Sequence, residues 1–230
     1  MTRPLPSESG ARLPRTFYER PTLDVARDLI GKTLYRSAPD GVTAGVIVET
    51  EAYVAAIDPS AHGYRGKTQR NATMFGPPGH AYVYFTYGMH FCLNVVTEDV
   101  DVAAAVLLRA LEPTVGIEIM RSRRSEHIAD RDLARGPGRL CAAMALDIAD
   151  NGQDLEGHAL WIAETPGFPA DAPVLATPRI GITQAVDWPW RFVLAGSPWA
   201  SGRKTAKPAT TDTSHAENRP KERGAKRAKM

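Results

Sequence analysis

The stretch VETEAYVAAIDPSAH, Val48 to His62, sets Glu49, Glu51 and Tyr53 at alternate positions ahead of Asp58 and His62. These residue types can move a proton, ligate a metal or stack on a ring. Read as a strand of period two, Val46, Val48, Thr50 and Ala52 face one way while Glu49, Glu51 and Tyr53 face the other. That second face is either solvated or the wall of a site. Two carboxylates roughly 7 Å apart on one strand face raise each other's pKa, and burial raises them further, so one could act as a general base near neutrality. The plain alternative is an edge strand with solvated glutamates. Glu49, Glu51, Asp58 and His62 are also ligand types, but their spacing matches no compact zinc signature; neither a metal nor a cofactor is expected.

Asn94 in FCLNVV and Arg109 in AAVLLRAL are polar groups set in apolar runs. Burying an unpaired amide costs on the order of 2 to 7 kcal/mol, so both need partners, supplied either by a site or by structural neighbours. Tyr53, Tyr82 and Tyr84 lie beside candidate strands, and Tyr87 sits at a hairpin tip next to Gly88. A tip tyrosine either docks on a neighbouring loop or serves as a flat wedge that enters a base stack. RGPGRLCAAM lacks the Gly-Lys-Ser/Thr ending of a phosphate loop, although the helix start after Pro137 could hold a DNA phosphate through free amides.

The elements that must position these residues are legible in outline. Leu23, Ala26, Leu29 and Ile30 form the apolar stripe of a helix from Thr22 to about Ile30, stopped by Gly31. KTLYRSA and GVTAGVIVETEAY pair around Pro39-Asp40-Gly41. A polar loop from Ala55 to about Thr73 follows, then a hairpin with strands near Ala81 to Thr86 and His90 to Val96. An apolar strand covers Val102 to Ala110, and Glu112-Pro113 opens a helix through about Arg124. A helix is expected from Leu140 to Leu146, with strands near Leu160 to Ala163, Arg179 to Thr183 and Arg191 to Ala195. Without repeats or a regular βαβ rhythm, the set predicts a mixed α/β fold with a mostly antiparallel sheet and helices packed around it.

The 230 residues, 43 % of them hydrophobic, supply the core of one large domain. No run approaches the roughly 18 apolar residues of a membrane span, and Met1 to Pro14 carries charges and prolines where a secretory signal needs an apolar stretch. A cytoplasmic location is expected, nucleoid-associated in a prokaryote, with no membrane partner. Cys92 and Cys141 lack a Cys-x-x-Cys pair and read as reduced core thiols. From Arg203 onward nine Lys or Arg face three acids, a net of +6, which leaves about −4 on residues 1–202. That tail has too little apolar surface to fold, and as a basic arm it would concentrate the chain on a polyanion such as DNA.

In their order between about Pro14 and Gly202, VETEAY, DPSAH, RNATMF, GHAYVYFTYGMHFCLNVV, AVLLRALEP, RGPGRLCAAMALD and GSPWAS resemble the alkyladenine (3-methyladenine) DNA glycosylase family. The resemblance implies a flexible segment 1–13, a single domain over 14–202 with a curved antiparallel sheet and a protruding DNA-binding hairpin, and a disordered tail over 203–230. It implies a monomer that hydrolyses the N-glycosidic bond of alkylated or deaminated purines in double-stranded DNA, of the 3-methyladenine, 7-methylguanine, hypoxanthine and ethenoadenine class. Glu51 becomes the general base that activates water. Tyr53 and His62 take one face of a flipped base and Tyr84 the other. Asn94 lies at the pocket floor against guanine's 2-amino group, and Arg109 helps hold the nucleotide and the water. Tyr87 becomes the wedge, with Met89 and His90 as further DNA contacts, while Glu49 is left a supporting residue. The chain departs from the family pattern at Val54-Ala55-Ala56, where Gly-Pro is usual. A non-catalytic damaged-DNA binding module and a sugar-active hydrolase using Glu49 and Glu51 are the competing readings.

Overall fold

Strand β2, Gly41–Val54, is the axis of the molecule, because it is long enough to take neighbours in series along one edge. The computed structural model describes residues 10–202; the expected disordered tail and most of the expected flexible N-terminus lie outside them. β1 (Thr33–Ala38) pairs with the first half of β2, β8 (Arg191–Leu194) with Glu49 to Glu51, and β5 (Ala104–Val115) runs along the opposite edge. β3 (Ala81–Thr86), β4 (His90–Val96), β6 (Leu160–Ala163) and β7 (Val174–Thr177) complete one curved antiparallel sheet of order β3-β4-β5-β2-β1-β6, with β7 beyond β8. Helices α1 (Arg15–Tyr18), α2 (Thr22–Asp28), α3 (Ile117–Arg124) and α4 (Pro137–Met144) pack around it. The mixed α/β fold with a curved antiparallel sheet is therefore as expected. Chain order begins before Pro14: Arg12 bridges Ala163 and Leu13 is buried in the core.

Strict alternation along β2 fails at one point, and the failure is informative. Ile47 and Ala52 both belong to the main core cluster, although they are five residues apart. An unbroken strand would put them on opposite faces. The register jumps from Ile47 opposite Leu111 to Glu49 opposite Ala110, leaving Val48 as an extra residue, and then from Glu49–Ala110 to Thr50–Leu108, leaving Arg109 extra on β5. A bulge on each strand thus resets the phase. Val46 and Val48 do not share the face of Thr50 and Ala52 in the way period two requires, yet Glu49, Glu51 and Arg109 come to one face. Bulges bend a sheet locally and re-aim side chains.

Two expected elements are corrected. Glu112-Pro113 does not open a helix; β5 runs on to Val115 because Pro113 faces Gly45 at a register irregularity, where a ladder amide can be spared. The helix begins only after Gly116, whose φ of +69° belongs to glycine and whose added Cβ would collide with the Val42 carbonyl oxygen. Arg179 to Thr183 is not a strand either. Pro178 cannot donate to a ladder, so the strand ends at Thr177 and the following chain leaves the sheet.

The other boundaries hold within a residue or three. α2 ends at Asp28 and its first amide, Thr22 N–H, donates to Glu98 Oε1 at 3.0 Å. α2 is tied to β2 by Thr50 Oγ1 donating to the Ala26 carbonyl at 2.7 Å. The main core, with Tyr18, Leu29, Leu34, Leu93, Leu108 and Leu140, lies between the sheet and helices α2 and α4. A second cluster of Ala55, Ala61, Met74, Tyr82, Val96, Ala103 and Ala105 supports the loop after β2. Cys92 and Cys141 are free and buried. Among the described residues no helix is long and apolar enough to cross a membrane.

Candidate active site

The outer half of β2 carries two carboxylates between arginines from both neighbouring strands. Glu49 and Glu51 have no solvent exposure, which removes the solvated edge-strand alternative. Arg109 from β5 donates through Nε to Glu49 Oε1 at 2.9 Å and through Nη1 to Glu51 Oε2 at 3.1 Å. Arg191 from β8 donates through Nε to Glu49 Oε1 at 2.6 Å. A buried charge persists only when paired and hydrogen-bonded, and here two carboxylates meet two guanidinium groups. The arginine that looked misplaced in an apolar strand is thereby explained.

The two glutamates differ in how fully they are engaged. An ionised carboxylate offers about four acceptor positions. Glu49 takes four donors: Arg109 Nε, Arg191 Nε, and both the amide and the hydroxyl of Ser201. Glu51 takes three: the Ile180 amide at 2.7 Å, the Tyr53 hydroxyl at 2.9 Å, and Arg109 Nη1. Glu49 takes three of its donors on Oε1 and the Ser201 amide on Oε2, and is clamped by two guanidinium groups; Glu51 takes two donors on Oε2 and only the Ile180 amide on Oε1, and meets one guanidinium. Burial pushes the Glu51 carboxyl above the ordinary carboxylate value, against the opposing pull of Arg109, the Ile180 amide and Tyr53, with Glu49 adding to the rise. Burial would depress Arg109, but Glu51 and Glu49 outweigh it and hold the guanidinium charged.

All three Glu51 donors line a cleft of about 470 Å³ that also includes His62, Met74, Tyr82, Tyr84, Asn94 and Leu107. The carboxylate therefore stands directly behind the cleft wall. Tyr53, Tyr82 and Tyr84 are kept protonated by burial, Tyr82 being pushed up to about 12. His62 Nδ1 lies 3.0 Å from the Tyr82 hydroxyl, and burial, with Arg70 nearby, pushes its pKa down, so the ring is neutral at pH 7. Its ring sits edge-on to Tyr84 with centroids 4.5 Å apart. A flat ligand could enter between them only after the imidazole turns aside. Asn94 Nδ2 donates to the Tyr82 carbonyl at 3.0 Å, which fixes its amide at the cleft wall.

Two loops close the cleft, joined by an ion pair that has no exposure at all. Asp58 accepts from both terminal nitrogens of Arg179, which also donates to the Ala52 carbonyl and lies over the Tyr53 ring at 4.6 Å. Asp58 is thus more than a loop residue: it ties the loop of His62 to the segment whose Ile180 amide holds Glu51. At the rim Ser60 Oγ donates to the Gln184 carbonyl at 2.6 Å. The path from Val54-Ala55-Ala56 to His62 is made by Asp58 N–H donating to the Val54 carbonyl, and Asn71 Nδ2 holds the His62 carbonyl at 2.8 Å. Among the described residues no group of three or more His, Cys, Asp or Glu side chains could hold a metal ion.

The hairpin of β3 and β4 projects beside the cleft. Tyr87 and Met89 are 80 % and 70 % exposed, and Tyr87 has a left-handed φ of 51° followed by Gly88 at 68°. His90 is exposed and sits close to the start of α4, where a Cβ on Gly138 would come within 2.9 Å of its ring. Arg124, Arg135 and Arg139 border the same depression. Of the residues singled out from sequence, Glu51, Tyr53, His62, Tyr84, Asn94 and Arg109 converge on the cleft or its back wall, while Tyr87, Met89 and His90 gather on the projecting hairpin. Arg179, Arg191 and Ser201 were missed. Arg191 gives a signal akin to that of Arg109, an arginine joined to an apolar run, though it heads its strand RFVL where Arg109 lies within one; Arg179 stands in no such run.

A family model for methylpurine-DNA glycosylase matches residues 16–198. A relative from Burkholderia lata, provisionally named a 3-methyladenine DNA glycosylase, is 51 % identical over 203 residues, covering 88 % of this chain and 97 % of its own. Relatives with the same provisional name from Methanocella arvoryzae and Carboxydothermus hydrogenoformans are 50 % and 49 % identical, covering 83 % and 82 % of this chain and 96 % and 98 % of theirs. Cleft and hairpin both fall inside the matched span, and the chain belongs to the methylpurine-DNA glycosylase family.

Proposed function

We propose that the protein is a monofunctional base-excision-repair glycosylase, acting as a monomer, which turns a damaged purine out of duplex DNA into the cleft and hydrolyses its N-glycosidic bond with a water activated by Glu51. The observation that carries this reading is the difference between the two glutamates: Glu49 is clamped by two arginines and Ser201, whereas Glu51 meets one arginine and all three of its donors line the cleft. Alkylation at N3 or N7 places positive charge on the purine. The bond from C1′ to nitrogen breaks with its electron pair passing to the base, the water oxygen bonds C1′, and the water's proton passes to Glu51. The ionised carboxylate also stabilises the cationic sugar of the transition state.

The aromatic wall suits a cationic base, since a cation is attracted to electron-rich ring faces and base–aromatic stacking contributes about 1 to 3 kcal/mol per base. Tyr53 supplies a face while its hydroxyl stays on Glu51, and Tyr84 supplies the other once His62 has turned from it. Asn94, its amide fixed by the Tyr82 carbonyl, is placed to discriminate against the 2-amino group of neutral, undamaged guanine, a penalty that the positive charge of 7-methylguanine offsets against the aromatic wall. Tyr87 fills the space of the extruded nucleotide, with Met89 and His90 against the duplex, and damaged or mispaired bases are favoured because they cost less to unstack. The test is base release from a duplex holding one 7-methylguanine. The reading expects free base and an abasic site; tight binding of the lesion without release would identify a damaged-DNA binding module instead.

A further inference from the structure

The arginine and serine behind Glu49 have no part in the chemistry above, and Arg191 lies directly across the β8 ladder from Glu51. Glu49 is gripped from that far side by Arg191 Nε and by Ser201, whose hydroxyl also accepts from Arg109 Nη2 at 3.3 Å. Arg109 is thereby held at Nε and Nη2, which leaves Nη1 for Glu51. The charges also matter. Without Arg191, Arg109 would serve two carboxylates; with it, Glu49 is neutralised and one positive charge remains for Glu51.

We propose that Glu49 is a positioning residue for the reaction: anchored by Arg191 and Ser201, it fixes the Arg109 fork toward Glu51, while Arg191 offsets its charge so that the positive charge of Arg109 is left to Glu51. This rests on Glu51 being the general base. The other groups that face Glu51 do not disturb the count. Tyr53 on β2, Tyr84 on β3 and Cys92 on β4 are all pushed up by burial and stay protonated, and Arg179 is occupied by Asp58.

The arrangement makes opposite predictions for two substitutions. Single-turnover release of 7-methylguanine, a lesion that is already cationic, gives a pH–rate profile whose acid limb reports ionisation of the base. Glu49→Gln leaves two arginines on one carboxylate and moves that limb to lower pH by about one unit. Arg191→Gln leaves two carboxylates on one arginine and moves it up by a similar amount. Each also lowers the plateau about a hundredfold, since a misplacement near 1 Å has that effect. The double variant restores neutrality; its limb returns to the wild-type position while its plateau stays low. Replacing both members of a buried pair keeps the fold where removing one does not, so the double variant decides the matter if a single variant fails to fold.

Limbs of both single variants that coincide with wild type, or a double variant with a wild-type plateau, would overturn the inference while Glu51 remained the base. Wild-type enzyme that releases no base would instead overturn the functional reading itself.

Discussion

The interior behind the cleft and the tip of the β3–β4 hairpin are built on opposite principles. In the interior, Glu49, Glu51, Asp58, Arg109, Arg179 and Arg191 are all buried, and every one of these charges meets an opposite charge. At the tip, Tyr87 and Met89 are largely exposed among the described residues. The interior keeps charged groups dry and fixed, as electrostatic stabilisation of a developing cation requires. The tip exposes apolar surface, as a wedge for a stacked duplex requires. Stability and function are therefore coupled in one region and separable in the other.

The largest effect is expected from removing one member of the pair that joins the two cleft loops. Arg179→Met leaves the Asp58 carboxylate buried without a counter-charge, and the expected loss is about 3 to 5 kcal/mol of folding stability, read by chemical denaturation, with excision lost alongside. A stable and active Arg179→Met protein would show that the interior charges do not depend on one another. Next in size is the tip. Tyr87→Ala should weaken binding to lesion-containing duplex by about 1 to 3 kcal/mol and leave the melting temperature where it was. Unchanged affinity would mean that the exposed ring does not enter the stack. Smallest is the rim: Ser60→Ala removes one partly exposed hydrogen bond to Gln184 and should cost about 1 kcal/mol or less. A larger loss would place the rim with the interior.

How much of this was legible in the sequence follows from the range of each interaction. The hairpin was legible to the residue, since Ala81 to Thr86 and His90 to Val96 alternate around Tyr87-Gly88 and pair with each other across a short turn. So was the common direction of Glu49, Glu51 and Tyr53. The phase of β2 was not, because the bulges at Val48 and Arg109 arise from pairing with a strand sixty residues away. Pro113 looked like a helix start, since proline favours that position, yet tertiary pairing with β2 carried the strand through it. The aromatic and carboxylate residues of the cleft could be named from their motifs. Their division of labour came only from the family resemblance: Glu49 and Glu51 look alike as residues, and what differs around them is that Glu49 meets two arginines while Glu51 meets one and has its donors in the cleft wall. Arg179 and Ser201 approach from chain segments more than a hundred residues distant, where no spacing rule applies.

On the proposed mechanism the carboxylate whose donors line the cleft is the base, and Glu51→Gln tests it with little change of shape. On a duplex bearing a single 7-methylguanine, single-turnover release by Glu51→Gln should fall by about 10² to 10⁴ while affinity for the lesion duplex stays within a few-fold of wild type. Release at close to the wild-type rate would contradict the account.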